Sequence, residues 1–403
     1  MIALADLARS PNALARHYSR FGVERRLLLT GHSHQAWPDV ALEGQCEAFD
    51  DAADAVDDKW DRAFAKADEV RAAYRELLGD PNGQIALAAS THDLVIRFLS
   101  GLDLLRGRPR LVTTDGEFHS LRRQLARLEE EGADVIRIAA EPVDTLVGRL
   151  ADAIDSRTSA VLVSAVLFET SRIVPGLDFL ASACRQGGVE LLVDAYHALG
   201  CVPFPLDEMG LSSAWVVGGG YKYLQLGEGN CFLRLPEQAE QMRPLVTGWF
   251  SEFAALSDAP RSDQVSYGSG AWRFAGATYD PTSHYRGARV FRFFRDHDLS
   301  PSLLRRSYLH QLSVLADAFD ALDVPENLVA RNRSTPLSGL GGFLALESLH
   351  AQRLRQMLLE RGVSSDGRGS YLRLGPAPYL SDNQLEEAVA RLGDAVTELT
   401  PSV

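Results

Sequence analysis

Two hydrophobic rhythms alternate along this chain from residue 84 onward. Short runs of Val, Leu, Ile and Ala carry no polar alternation, and stretches with apolar residues three or four apart separate them. The runs at 84–91, 110–115, 134–140, 159–166, 190–194, 215–217 and 230–235 read as strands. Unbroken apolar runs are the mark of strands buried on both faces of a parallel sheet. The intervening stretches, among them 93–105 and 120–131, read as helices. Repeated strand–helix units predict an α/β fold, with a mostly parallel central sheet, right-handed crossovers and helices on both faces.

The flanking segments differ. Residues 1–25 mix apolar and charged positions and predict a helical arm that packs with a small domain. Residues 39–78 are rich in Ala, Asp and Glu at helical spacing and predict long surface helices, with the acidic run 50–58 solvated. Residues 245–285 lack periodicity but hold Trp249, Phe250, Tyr267, Trp272 and Phe274, and an aromatic loop of that length marks function or an interface. Residues 284–320 read as helical. A smaller α+β unit follows, with strands at 341–347 and 371–375, a helix capped by Ser348 that runs to 362, and a terminal helix at 384–399. The expected division is an arm (1–25), a large domain (26–295) and a small C-terminal domain (296–403).

Composition narrows the class of partner. The chain is 46% hydrophobic and 24% charged, which is ordinary for a globular protein. Its net charge of -13 argues against nucleic acid or an anionic membrane as partner. No apolar run reaches membrane-spanning length, and the start has no basic region ahead of its apolar residues, so a cytoplasmic protein is expected. Cys46, Cys184, Cys201 and Cys231 have no metal-ligand spacing, and Cys184 and Cys231 read as buried thiols. His32 and His34 lack a third ligand nearby, so no metal is expected. They read better as part of a substrate-contacting loop.

Candidate chemistry lies where the central runs end. Glu190-Leu-Leu-Val-Asp-Ala-Tyr-His197 delivers Asp194 and His197, and Trp215-Val-Val-Gly-Gly-Gly-Tyr-Lys-Tyr223 delivers Tyr221 and Lys222. Active groups of open α/β sheets sit just past the carboxyl ends of strands. An acid and a lysine there suggest pyridoxal phosphate, with the lysine forming a Schiff base and the carboxylate keeping the pyridinium nitrogen protonated. The alternative is a surface lysine and a helix-capping aspartate. Ser90 and Thr91 open a helix, which makes either a phosphate site or a plain N-cap. No Gly-x-Gly-x-x-Gly fingerprint, P-loop or Gly-x-Ser-x-Gly elbow is present.

With these residues in place, the sequence resembles kynureninase, of the class V aminotransferase group of fold-type I pyridoxal phosphate enzymes, from about residue 27 onward. Asp194-Ala-Tyr-His197 and Tyr221-Lys222-Tyr223 are similar to the family's Asp-x-x-His and Tyr-Lys-Tyr. Gly31-His-Ser-His-Gln35, Gly248-Trp249 and the strand bearing Arg373, Pro376 and Tyr379 carry the rest. The resemblance implies Lys222 as Schiff-base lysine and Asp194 as partner of the pyridinium nitrogen. It places His197, Tyr221, Ser90 and Thr91 at the phosphate and Ser164 at the ring or its hydroxyl. Phe118 would stack on the ring, or else is a core aromatic. Trp249 and Thr278 join the cofactor-binding set, Arg373 would grip the substrate carboxylate, and His32 and His34 would face the substrate. A loop reaching the other subunit's active site implies a homodimer.

The implied reaction is hydrolysis of the Cβ–Cγ bond of L-kynurenine to anthranilate and alanine, a step of tryptophan catabolism. The alternative is another class V reaction (aminotransferase, racemase or β-lyase) on a different amino acid. Cysteine desulfurase is its weakest version, because no cysteine follows Cys231. A non-catalytic scaffold would have no need of the Asp194/Lys222 pair. Departures from the family fall where substrate is read, at His32, His34 and Ala275-Gly-Ala-Thr278.

Overall fold

A computed structural model describes residues 2–102, 109–255 and 264–399. Its centre is a seven-stranded sheet. In chain order the strands are β1 (Gln84–Ala88), β2 (Arg110–Thr114), β3 (Asp134–Ile138), β4 (Thr158–Ser164), β5 (Glu190–Asp194), β6 (Trp215–Gly219) and β7 (Cys231–Leu235). Across the sheet they run β1-β7-β6-β5-β4-β2-β3. All are parallel to one another except β7, which runs antiparallel to both of its neighbours. β7 returns from β6 without a helix between them, so a tight reversal replaces the crossover that a parallel pair requires.

Side-chain alternation sorts the central strands between two cores. Val161, Val163, Leu191, Val193 and Val216 enter one apolar cluster. Leu162, Leu192, Trp215 and Val217 enter another on the opposite face. This two-sided burial is why the runs carry no polar alternation. By the same parity Ser164 and Asp194 point to the second face, beneath the helices Thr91–Gly101 and His119–Glu130. The first of these ends at Gly101 with Leu102 extended as its C-cap, and the rest of the run expected to Leu105 lies outside the described residues.

The small domain is an antiparallel sheet, ordered Asp366–Arg368, Tyr371–Leu374, Leu344–Glu347, Ala330–Arg331. The helices Pro301–Asp320, Ala351–Glu360 and Asp382–Leu399 complete it. Ser348 does not cap the helix as expected. Its hydroxyl accepts from the His350 N–H in the turn before it, and His350 is the N-cap. The single helical stretch expected over 284–320 breaks into Thr282–Asp296 and Pro301–Asp320, with Ser300 capping the second.

The N-terminal segment belongs with this domain further than its composition suggests. Asn12 Nδ2 donates to the Pro378 and Leu380 carbonyls at 2.8 and 3.2 Å. Leu27–Leu28, expected in the large domain, pairs in parallel with Val363–Ser364. The arm itself is a short helix, Leu4–Ala8, followed by 3₁₀ turns. Among the described residues no helix is long and apolar enough to cross a membrane.

Candidate active site

Adjacent strands deliver the site residues in one row. Ser164 ends β4 and is in register with Asp194, the end of β5, which is in register with Val217 on β6. At the end of β6, Gly218, Gly219 and Gly220 let the chain turn tightly against the sheet. A Cβ on Gly219 would lie 2.5 Å from the Tyr196 hydroxyl, so a side chain there would displace that ring. The turn places Lys222 in a cavity lined also by Asp194, His197, Tyr196, Phe118 and Thr91.

Lys222 is buried, and its Nζ lies 2.7 Å from His197 Nε2. Three aromatic rings surround the amine, with centroids 4.7 Å (Tyr196), 5.2 Å (Phe118) and 5.6 Å (Tyr221) away. Burial pulls the Lys222 ammonium down to about 7, against the opposing pull of Asp194. Burial, and then the charge of Lys222, hold the His197 imidazole well below its ordinary value, so a neutral ring accepts from the amine. Burial pushes the Asp194 carboxyl up, offset by the Tyr196 N–H, which donates to Oδ1 at 2.8 Å, and by Lys222.

A second buried carboxylate sits alongside. Glu117 accepts from Ser164 Oγ at 2.6 Å, Thr114 Oγ1 at 2.7 Å and the Ser164 N–H at 3.2 Å. Burial raises its carboxyl from 4.5 to about 7 despite those bonds, and Asp194 adds to the rise. The proton therefore stays on folded Glu117 where the unfolded chain has lost it, so this group's stability contribution falls as pH rises from 4.5 towards 7. That is roughly 3 kcal/mol at 1.36 kcal/mol per unit. Glu117→Gln should abolish this loss. Urea titrations of both proteins near pH 5 and pH 8 would show it, and parallel pH profiles would refute it.

The structure does not gather all the expected residues. Ser90 spends its hydroxyl oxygen as N-cap acceptor for the Asp93 N–H at 3.1 Å, and Thr91 lines the cavity. His197, expected at a phosphate, lies instead against the Lys222 amine. His34 is exposed and stacks on Tyr221 at 4.8 Å, whereas His32 is buried against Phe343. Trp249 Nε1 donates to Thr278 Oγ1 at 3.3 Å, and neither lines the Lys222 cavity of its own chain. Arg373 is buried rather than open to the cavity. Its Nη1 donates to the Phe168 carbonyl and its Nη2 to Asp366 Oδ2. Sequence reasoning missed Glu117, Tyr196 and Asp366. Asp366 pairs with Arg373 across a hairpin and lies two positions before Arg368.

Comparisons with known proteins follow this geometry. No family model matches the chain. A Bacillus subtilis (strain 168) protein, the uncharacterized aminotransferase YcbU, is 23% identical over 335 residues, 82% of this chain and 84% of that protein. A mutant of C-DES with glycine covalently linked to its PLP cofactor superposes with TM-score 0.81 at 16% identity, over 94% of this chain and 98% of that one. The apo cysteine desulfurase of Thermococcus onnurineus NA1 gives 0.80 at 16% identity, over 97% and 99%. The cystine C-S lyase C-DES with its product cysteine persulfide gives 0.79 at 17% identity, over 93% and 98%. The chain has the fold of the fold-type I pyridoxal phosphate enzymes. None of these relatives is named a kynureninase, and they carry the fold alone.

The residues present fit such a cofactor. An amine lowered by burial suits an aldehyde, a carboxylate one strand away suits a pyridinium nitrogen, and the N-terminus of the helix Thr91–Gly101 suits a phosphate. Burial pushes the Tyr221 phenol up to about 12, so it remains a hydrogen-bond donor beside that helix end.

Proposed function

We propose that this chain is a pyridoxal phosphate enzyme that acts on an α-amino acid by a class V reaction other than kynurenine hydrolysis, with β-elimination as the leading reaction. The observation that carries the cofactor is Lys222, buried and partly deprotonated at the strand end next to Asp194. Bound pyridoxal phosphate supplies an electron sink for charge developing at the substrate α-carbon. Lys222 would hold it covalently, Asp194 would face its ring nitrogen, and Thr91, Ser90 and Tyr221 would serve the phosphate. Phe118 would cover the ring, and Ser164 would meet its hydroxyl. Trp249 and Thr278 would come from a second copy of the chain.

The remaining steps belong to the protein. Burial brings Lys222 to about 7, so part of it is free amine at neutral pH, and the neutral His197 ring lies 2.7 Å away to orient it. That pair can take the proton from a substrate α-carbon and return one to a leaving group. Arg373 would receive the substrate carboxylate with a planar, permanently charged fork.

The buried thiols argue against persulfide formation at the site, and the exposed Cys46 does not line the Lys222 cavity. Cys201 and Cys231 are buried, and burial pushes them up to about 12 and about 11, whereas a nucleophilic cysteine needs a lowered value. Residues 368–370, the turn beside Arg373, hold no cysteine. Any sulfur or other β-substituent would therefore leave free.

Kynurenine cleavage keeps one observation in its favour. Phe118, Phe168 and His119 form an edge-to-face aromatic wall beside the site, with centroids 5.3–5.5 Å apart, and such a wall suits an aryl side chain. Protein supplied with pyridoxal phosphate should release pyruvate from L-cystine or another β-substituted alanine. Turnover confined to L-kynurenine, read as anthranilate fluorescence, would replace the first reading by the second.

A further inference from the structure

The guanidinium that should receive a substrate carboxylate is already bonded to a carboxylate of its own chain. Both terminal nitrogens of Arg373 are engaged, one by the Phe168 carbonyl and one by Asp366 Oδ2. A bidentate clamp on an incoming carboxylate needs two parallel N–H groups free. Asp366 therefore holds the Nη2 end of the guanidinium while the buried Nε has no partner, so a carboxylate arriving end-on at the two Nη groups has to displace Asp366.

On the other side of Asp366 lies His32. Its Nε2 is 3.5 Å from Asp366 Oδ2, and neither of its ring nitrogens has a hydrogen-bond partner although the residue is 1% exposed. The chain holds it there deliberately close. The Gly31 N–H donates to the Gly375 carbonyl at 2.8 Å, and the Gly375 N–H donates to the Leu29 carbonyl at 2.8 Å. A Cβ on Gly375 would lie 2.1 Å from His32 Nδ1, so glycine is what admits the imidazole. A buried ring nitrogen without a partner is costly unless some state of the protein satisfies it.

We propose that Asp366 is a stand-in for the substrate carboxylate, held by Arg373 until an amino acid displaces it and then passed to His32. This rests on the proposed function, and it assigns Asp366 and His32 as positioning residues that select substrates bearing an α-carboxylate. The charges support the exchange. Before binding, the Arg373 and Asp366 charges cancel, and burial holds His32 down to about 4, hence neutral. The substrate adds one negative charge to that wall. The charged and titratable groups facing His32 are Asp366 and Arg373 from the small-domain hairpin, and Lys222 and His197 from the large domain. Of these only Asp366 is an acid, so a freed Asp366 carboxylate raises His32, which takes up a proton. The Asp366 side chain is only partly buried, and its Oδ1 keeps the Gly367 N–H at 2.7 Å, next to an exposed turn at Gly369.

The test uses the holoenzyme, with L-alanine and ethylamine as probes that differ by the carboxylate and a hydrogen. Binding is read from the cofactor absorbance and proton uptake from calorimetry in two buffers near pH 6.5. Asp366→Asn should tighten L-alanine about tenfold, the scale of one displaced charge-assisted hydrogen bond, and leave ethylamine unchanged. Asp366→Glu should stay near wild type. His32→Gln should abolish the proton taken up with L-alanine. If Asp366 only organises Arg373, Asp366→Asn weakens L-alanine instead, and the proposal falls. Proton uptake that persists in His32→Gln overturns it as well, even should the Asp366 variants fold poorly. Failure of the functional reading looks different: borohydride and pyridoxal phosphate would then leave Lys222 unmodified.

Discussion

Lys222→Ala should lower turnover by roughly 10⁴-fold or more, because it removes both the covalent anchor and the proton carrier at the α-carbon. Borohydride reduction with pyridoxal phosphate should label wild-type Lys222, read by peptide mass, and should label no other residue in the variant. The fold should survive. The amine lies in a cavity among rings, and among the described residues its one hydrogen-bonding partner is His197. The cofactor-free proteins offer a further check. Burial lowers Lys222 from 10.5 to about 7, so between those values the unfolded chain holds a proton that the folded chain lacks. Stability contributed by this group therefore rises with pH across that window. Lys222→Ala should lose the rise, and denaturant midpoints at pH 7 and pH 9.5 that shift equally in both proteins would refute the buried, lowered amine.

The strands were legible because burial on both faces removes polar alternation, and that requirement is written directly into Leu191, Leu192, Val193 and Val216, Val217. The reversal of β7 was not legible, since its run looks like the others and only the missing crossover helix distinguishes it. Asp194 and Lys222 could be picked out because one ends a buried strand and the other follows the next strand after a glycine turn, so neighbouring strand ends bring both to one cavity. His197 meets the Lys222 amine for a local reason. It lies on the turn after β5, and the turn's path, not its spacing from Asp194, aims the ring at the amine. Arg373 was found as an arginine but not as an occupied one. Its partner Asp366 lies across a hairpin whose pairing no one-dimensional pattern fixes. For a similar reason the pairing of Leu27–Leu28 was not legible, since so short a strand does not announce its partner, Val363–Ser364.

Asp194→Asn should lower kcat by roughly 10³-fold while leaving cofactor affinity within about tenfold of wild type, the scale of removing one preorganised electrostatic contact. The change is well matched to its purpose. Asparagine keeps the side-chain oxygen that accepts the Tyr196 N–H at 2.8 Å, so the turn that follows β5 is retained and only the charge is lost. The cofactor should keep its other holds at Lys222, Thr91 and Tyr221. Fluorescence titration of the apoprotein with pyridoxal phosphate would give affinity, and single-turnover rates would give the chemical step. Equal losses in both would mean that Asp194 holds the cofactor rather than tuning it. Glu117 supplies an independent reading of the same charge. Burial dominates its rise to about 7, and Asp194 contributes to it. Removing the Asp194 charge should therefore lower Glu117 and shrink the stability lost between pH 4.5 and 7. That result, in apoprotein with no substrate present, would show that two carboxyl groups at neighbouring strand ends share one buried field. Burial raises Glu117 first, and the neighbouring Asp194 adds to that rise.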